Sequence, residues 1–395
     1  MPLVFVHGVS NRWSADYTRG IAARDALFRE FLLRDHRPAD GRAVAIRNPY
    51  WGGFGGRLHW GGASVPRDDF ESLGAEDTAY AEMYVAADPD GSATTPAEVV
   101  LAVARRSLPD AVDLLWSAAA LGERDEAGEL AELAGPAYRY ARSKPHPDWV
   151  DTIRTDQELV TRLEQEIATA SDGSPAAAAS DSEYESLGLG PGWNAVRRGL
   201  GRLRSAVPNY VGRRAADKIR SVAVPPVTGF LGDVFVYLHE QHGVARPIGE
   251  LVEVDLRAAA AERTPADPFV VVAHSMGGNI VYDVLTSTGA DVEVDLLVTV
   301  GSQVGFFEEL KLFRASNRAV PGDDPKRKLP RPPAVRRWIN IFDYSDLLGF
   351  EVGSIIDGVV DYSYRTDSPL RAHGQYFLQP SFHERLAERA GANDG

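Results

Sequence analysis

The chain has 395 residues, 44% of them hydrophobic and 25% charged, with a net charge of −14 and no cysteine. So acidic a chain lacks the basic face that general nucleic-acid binding needs, and the missing thiols exclude disulfides, thiolate metal sites and a cysteine nucleophile. The apolar content is enough for a sizeable core, in one large domain or two ordinary ones.

Leu3-Val4-Phe5-Val6 reads as a buried strand that starts almost at once. No basic segment, long apolar run or small-residue cleavage site precedes it, so a soluble, cytoplasmic protein is expected. No apolar run approaches the ~20 residues of a membrane span. Residues 16–34 have helical spacing, with Ile21, Ala22, Ala26, Leu27, Phe31 and Leu32 on one face. Ala43-Val44-Ala45-Ile46 predicts a second strand, stopped at Asn48-Pro49-Tyr50-Trp51. The glycine- and aromatic-rich stretch that follows lacks the Gly-Lys-Ser/Thr of a phosphate loop. It reads either as a flexible aromatic hinge beside an acyl pocket, with Tyr50 and Trp51 as pocket residues, or as a plain solvent loop.

The middle of the chain changes character. Residues 96–169 read as alanine-rich helices, and 170–192, poor in large apolar side chains, as a flexible linker. Residues 193–220 hold seven Arg and one Lys against a single Asp. This basic stretch is either a solvated helix face that pairs with the acidic remainder or a transient contact with an anionic membrane surface. Strand and helix then alternate again. Helices are predicted over 230–241, 248–262, 277–285 and 381–391, strands over 268–273, 294–300 and 338–342, and a polar, proline-rich loop over 314–335. Alternation at both ends implies an α/β fold with a mostly parallel sheet and helices on both faces. Residues 1–56 and 226–395 form its two parts, and 57–225 read as one long helical insertion.

Val270-Val271-Val272-Ala273-His274-Ser275-Met276-Gly277-Gly278 carries the chemistry. A buried strand runs into a serine with small residues two before and two after it, and a helix follows. Such a turn lifts a nucleophilic hydroxyl above the sheet, and the helix start offers N–H groups to a developing oxyanion. Met276, next after the serine, supplies one of them. His274 directly precedes the nucleophile, so its side chain points away from Ser275 and is structural or pocket-lining.

Ala273-His274-Ser275-Met276-Gly277-Gly278 resembles the elbow of α/β-hydrolase lipases, including a bacterial subgroup with alanine at the first small position. Leu3-Val4-Phe5-Val6-His7-Gly8-Val9 is similar to the first core strand and His-Gly loop of the same enzymes. The likeness covers roughly residues 1–55 and 225–380 and not the insertion, which stands where a lid or cap sits in that fold. It implies that His7 and Gly8 shape the oxyanion loop and that Val9 gives the second N–H donor.

In this fold the acid and then the histidine follow the serine in chain order. Only His373 and His383 come after the strand 338–342, and His373, in a loop after a Ser-Pro turn, is favoured over His383 at a helix start. Asp343 and Asp346 are both candidates for the acid. The likeness to an Asn/Asp-Pro-x-Asp turn favours Asp346, although Tyr344 stands where that pattern has proline. The expected activity is that of a serine esterase or lipase-like enzyme, cleaving a small-molecule or lipid carboxylic ester through Ser275, Asp346 and His373. The same residues would serve an acyltransferase, thioesterase or amidase. A hydrolase-fold interaction or regulatory protein without turnover is the reading from another class. No cofactor is called for, and no histidine pair has metal-ligand spacing.

Overall fold

The computed structural model describes residues 1–36, 44–57, 59, 98–122, 127–172, 190–205, 230–241, 243, 245–366 and 372–391. In chain order the elements are β1 (Leu3–Val6), α1 (Ala15–Phe31), β2 (Ile46–Arg47), α2 (Val99–Arg106), α3 (Leu108–Gly122), α4 (Ala127–Ser143), α5 (Asp156–Asp172) and α6 (Gly190–Ser205). There follow α7 (230–241), α8 (Pro247–Ala261), β3 (Val270–His274), α9 (Met276–Thr286), β4 (Val294–Val300), α10 (Val304–Glu309), β5 (Val335–Phe342), β6 (Val359–Ser363), α11 (Ala372–Gln375) and α12 (Pro380–Gly391). Most of the expected linker, 173–189, lies outside the described residues, while Gly190, Pro191 and Gly192 open α6.

The chain divides into two compact units. The first gathers Met1–Ser14, His36–Asp69 and Ala216–Arg365, and the second gathers Ala15–Asp35, Phe70–Ala215 and Thr366–Gly395.

The first unit is of the α/β class. Its six strands are all parallel, in the order β2-β1-β3-β4-β5-β6. Val270 to Ala273 are buried in the middle of the sheet, as expected where both faces are covered. Ile248, Val252, Leu256 and Ala259 recur at helical spacing on α8 and join the core with Ile280, Val281 and Val284 of α9. From β1 the sheet grows one way through β2 and the other way through β3, so the order reverses between β1 and β3. In open parallel sheets the crevice at such a switch point, beyond the carboxyl ends of the strands, is where ligands bind.

Several elements depart from the sequence reading, among them the unpredicted helices α10 and α11, the latter carrying His373 where a loop was expected. β2 is the short pair Ile46–Arg47 rather than 43–46. β5 begins at Val335, three residues before the predicted start. β6 was not predicted, because Val359-Val360-Asp361-Tyr362-Ser363 is half polar and only partly buried.

The second unit is helical and has its own core. Trp116 of α3 meets Trp193 of α6 edge to face at 6.1 Å, and its indole N–H donates to the Leu130 carbonyl. Asp156, at the start of α5, accepts the Leu101 N–H at 2.7 Å and so caps α2. α1 and the C-terminal segment belong to this unit, although the sequence reading grouped them with the sheet. Phe28 of α1 packs edge-on against Phe377 and against the His383 ring. The apolar face of α6, made by Trp193, Val196, Leu200 and Leu203, is buried in this core, and Arg197 pairs with Glu164. That part of the basic stretch is therefore a solvated face over a buried one, and residues 206–220 lie outside the described residues. No helix among the described residues is long and apolar enough to cross a membrane.

Candidate active site

Ser275 stands between the last residue of β3 and the first of α9, with φ 54° and ψ −128°. A side chain with a Cβ rarely takes a positive φ, and such strain persists only where the surroundings enforce it. They do so here. The Ser275 N–H donates to the Val300 carbonyl at 2.9 Å, and the Ser275 carbonyl accepts the Gly278 N–H at 2.9 Å. At Gly277 an added Cβ would sit 2.3 Å from the Val6 carbonyl oxygen, so only glycine lets α9 start against the end of β1. Ser275 itself is 1% exposed.

The loop after β1 lies against this turn. His7 is buried and stacks on Trp51 at 5.0 Å. Its Nε2 accepts the Trp51 N–H at 3.3 Å, which leaves Nδ1 as the protonated nitrogen that donates to the Gly8 carbonyl at 2.7 Å. The Asn11 amide donates to the same carbonyl at 2.9 Å. With the Gly8 oxygen held on that side, the trans peptide directs the Val9 N–H the opposite way. Neither the Val9 N–H nor the Met276 N–H has a hydrogen-bond partner among the described residues. Met276 opens α9, where unpaired N–H groups and the helix dipole both favour negative charge. His274 is half-buried, and its ring lies beside Gly8.

The aromatic stretch, read either as a hinge or as a plain solvent loop, is packed and hydrogen-bonded at Tyr50 and Trp51. Trp51 is fully buried, with its indole N–H on the His7 carbonyl at 2.8 Å, and the Tyr50 hydroxyl accepts the Trp13 N–H. The glycines that looked like hinge points instead allow close packing: a Cβ on Gly52 would lie 1.8 Å from the Asn11 carbonyl oxygen.

Asp343 and Asp346 are both buried in the loop after β5. Asp343 Oδ1 accepts the Ser345 N–H at 2.8 Å, and Asp346 Oδ1 accepts the Leu348 N–H at 2.9 Å. The two carboxylates thus build successive side-chain turns, the first doing the local work that a proline at 344 would otherwise do. Tyr344 is exposed, its ring edge-on to Phe342.

Three buried amides that sequence reasoning passed over hold this loop to the elbow. Gln303 Nε2 donates to the carbonyls of Gly301 at 2.8 Å and Leu348 at 2.6 Å, and its Oε1 accepts from Asn279 of α9 at 3.1 Å. Asn340 of β5 accepts from Thr299 and donates to the Phe350 carbonyl and to Asp361. A polar side chain inside an apolar strand, as at Asn340, was the available signal, because buried amides must find partners.

The α/β unit therefore brings together His7, Gly8, Val9, Ser275 and Met276. His373 is carried by α11 of the helical unit and is half-buried. His383, the other candidate, is fully buried, with Nε2 against the Phe377 carbonyl at 3.1 Å and burial pushing its pKa down to about 4. No group of metal ligands occurs among the described residues. Protein-family models, curated proteins and solved structures contain no match to the chain.

Proposed function

We propose that the chain is a serine hydrolase of the α/β-hydrolase type that cleaves a carboxylic ester, with Ser275 as nucleophile. The observation that carries this reading is the strained Ser275 at the sheet's switch point, with the Val9 and Met276 N–H groups on the adjoining loop and helix unpaired among the described residues. A serine that only linked a strand to a helix would need neither the positive φ nor the close approach of Gly8.

The chemistry follows from the parts. A base takes the proton of the Ser275 hydroxyl as Oγ attacks the ester carbonyl carbon. The carbonyl π pair moves to oxygen, and the N–H groups of Val9 and Met276 bind that negative charge. The intermediate collapses to an acyl-serine and the alcohol leaves with the proton from the base. Water then adds by the same route and releases the acid. Chain order and the lipase likeness assign the base to His373 and its acid partner to Asp346. The acid holds the imidazole tautomer and stabilises its charged form.

A fluorophosphonate probe tests the assignment. Intact-mass analysis should show one adduct on the wild-type protein and none on Ser275→Ala. Hydrolysis of p-nitrophenyl esters of increasing chain length then reports acyl preference. A wild-type protein that neither labels nor turns over any ester defeats the proposal, and the interaction-protein reading takes its place.

A further inference from the structure

A fully buried and heavily bonded carboxylate of the α/β unit lies outside the catalytic assignment. Asp233, on α7, is 0% exposed. Its Oδ2 accepts the Ser10 N–H at 2.7 Å and Arg12 Nη1 at 3.1 Å, and its Oδ1 accepts Arg12 Nη2 at 2.6 Å and the Gly56 N–H at 2.7 Å. One side chain thus joins the loop after β1, the loop after β2 and α7. Arg12 closes the clasp by donating to the Gly56 carbonyl at 3.0 Å.

The clasp acts directly on the segment that carries Val9. Ser10 has φ 62°, unusual for serine, and its N–H is the one Asp233 holds. Asn11, between the two clasped residues, donates to the carbonyls of both Gly8 and Val9. The peptide of Val9 is thereby set from both sides, by Asn11 and His7 before it and by Asp233 after it. We infer that Asp233 is a positioning residue for the oxyanion hole, acting through Ser10, Arg12 and Asn11 to aim the Val9 N–H.

The inference rests on the hydrolase reading, and the experiment separates the two. Asp233→Asn keeps the side chain's shape and one acceptor oxygen but turns an NH2 group toward donors. Kinetics are measured on an aryl ester and on its thiono analogue, in which sulfur replaces the carbonyl oxygen and accepts hydrogen bonds poorly. For the oxygen ester, kcat should fall by about 10²–10³-fold, the effect of losing one oxyanion donor, while KM changes little. The thiono ester should slow far less, so the ratio between the two substrates collapses. Arg12→Gln, which leaves both backbone donors on the carboxylate, should move the ratio in the same direction by a smaller factor. It decides the matter alone if Asp233→Asn does not fold. Where the wild-type protein labels with fluorophosphonate, equal slowing of both esters by the substitution, which leaves their ratio unchanged, overturns the role of Asp233 only. Failure of the wild-type protein to label or hydrolyse overturns the hydrolase reading and this role with it.

Discussion

A Cβ built on Gly8 would lie 2.8 Å from the Ser275 Cβ, closer than real Cβ atoms approach. The loop leaving β1 and the turn leaving β3 are therefore in contact at the point where the sheet order reverses, and glycine is the one residue that permits it. Gly8→Ala must displace either the loop after β1 or the turn at Ser275. Thermal unfolding should register a loss of about 1–3 kcal/mol, the usual cost of overpacking. Fluorophosphonate labelling should slow by more than that stability loss alone explains. Unchanged labelling would mean that the two loops are not functionally coupled.

Gln303 supports the other side of the elbow. Its amide uses both donors and its acceptor on Gly301, Leu348 and Asn279, so Gln303→Leu strands several buried groups at once. Each stranded group costs about 1–3 kcal/mol. A lower unfolding temperature is expected, together with a lower kcat as the loop bearing Asp346 loosens. Gln303→Glu, which keeps the acceptor but sets a buried carboxylate oxygen against the Leu348 and Gly301 carbonyls, should be destabilised at least as much as the leucine variant at neutral pH. An equally stable and active Gln303→Leu protein would remove the bridge from the account.

The two loop aspartates separate by what each loss does. On the proposed assignment of Asp346 as partner of the His373 imidazole, Asp346→Asn should lower kcat by about 10⁴-fold with a folded protein, because the asparagine no longer fixes the ring's tautomer. Asp343→Asn should act mainly on stability, through the turn it builds at Ser345. The opposite pattern in steady-state kinetics would exchange their roles.

How far the fold could be read depended on where each residue's partners lie. β3 and β4 are short, mostly apolar and mostly buried segments, and the start of α9 is buried throughout, so their pattern survives in one dimension. The strand–turn–helix around Ser275 was legible for the same reason: strand, serine and glycines are neighbours in sequence. α1 was read correctly as a helix, yet its period says which face is buried and not what buries it, and its partner proved to be the helical unit. The Asp233 clasp was invisible because it joins residues more than 170 positions apart. Gly52, Gly55 and Gly56 looked like freedom of movement, whereas a Cβ on them would meet the Asn11 carbonyl, the Asp233 carboxylate and the Gly232 backbone.

The helical unit carries a pH response of its own. Asp113 of α3 accepts the N–H of Ser381 at 3.2 Å and its hydroxyl at 2.5 Å, which ties the start of α12 to α3. Burial pushes the Asp113 carboxyl up to about 7 from an ordinary 3.8, with Ser381 and Arg385 pulling the other way and Asp110 adding to the rise. Because the folded value lies above the unfolded one, this group's contribution to stability is complete below about pH 4 and is lost as pH rises through 7. At about 1.4 kcal/mol per pKa unit, the loss has an upper bound of roughly 4 kcal/mol. Asp113→Asn imitates the protonated acid and should remove the response, so the variant gains on the wild type as pH rises from 5 to 8.5. His383 has the opposite sign: its value is lowered from 6.5 to about 4, so its contribution is complete above 6.5 and is lost as pH falls toward 4. Asp156, raised to about 6, follows Asp113 in direction. Both are present in wild type and variant alike, so they cancel when the two denaturation midpoints are subtracted at each pH. A midpoint difference that stays flat across that range would show that the Asp113 carboxyl ionises as an ordinary surface acid does.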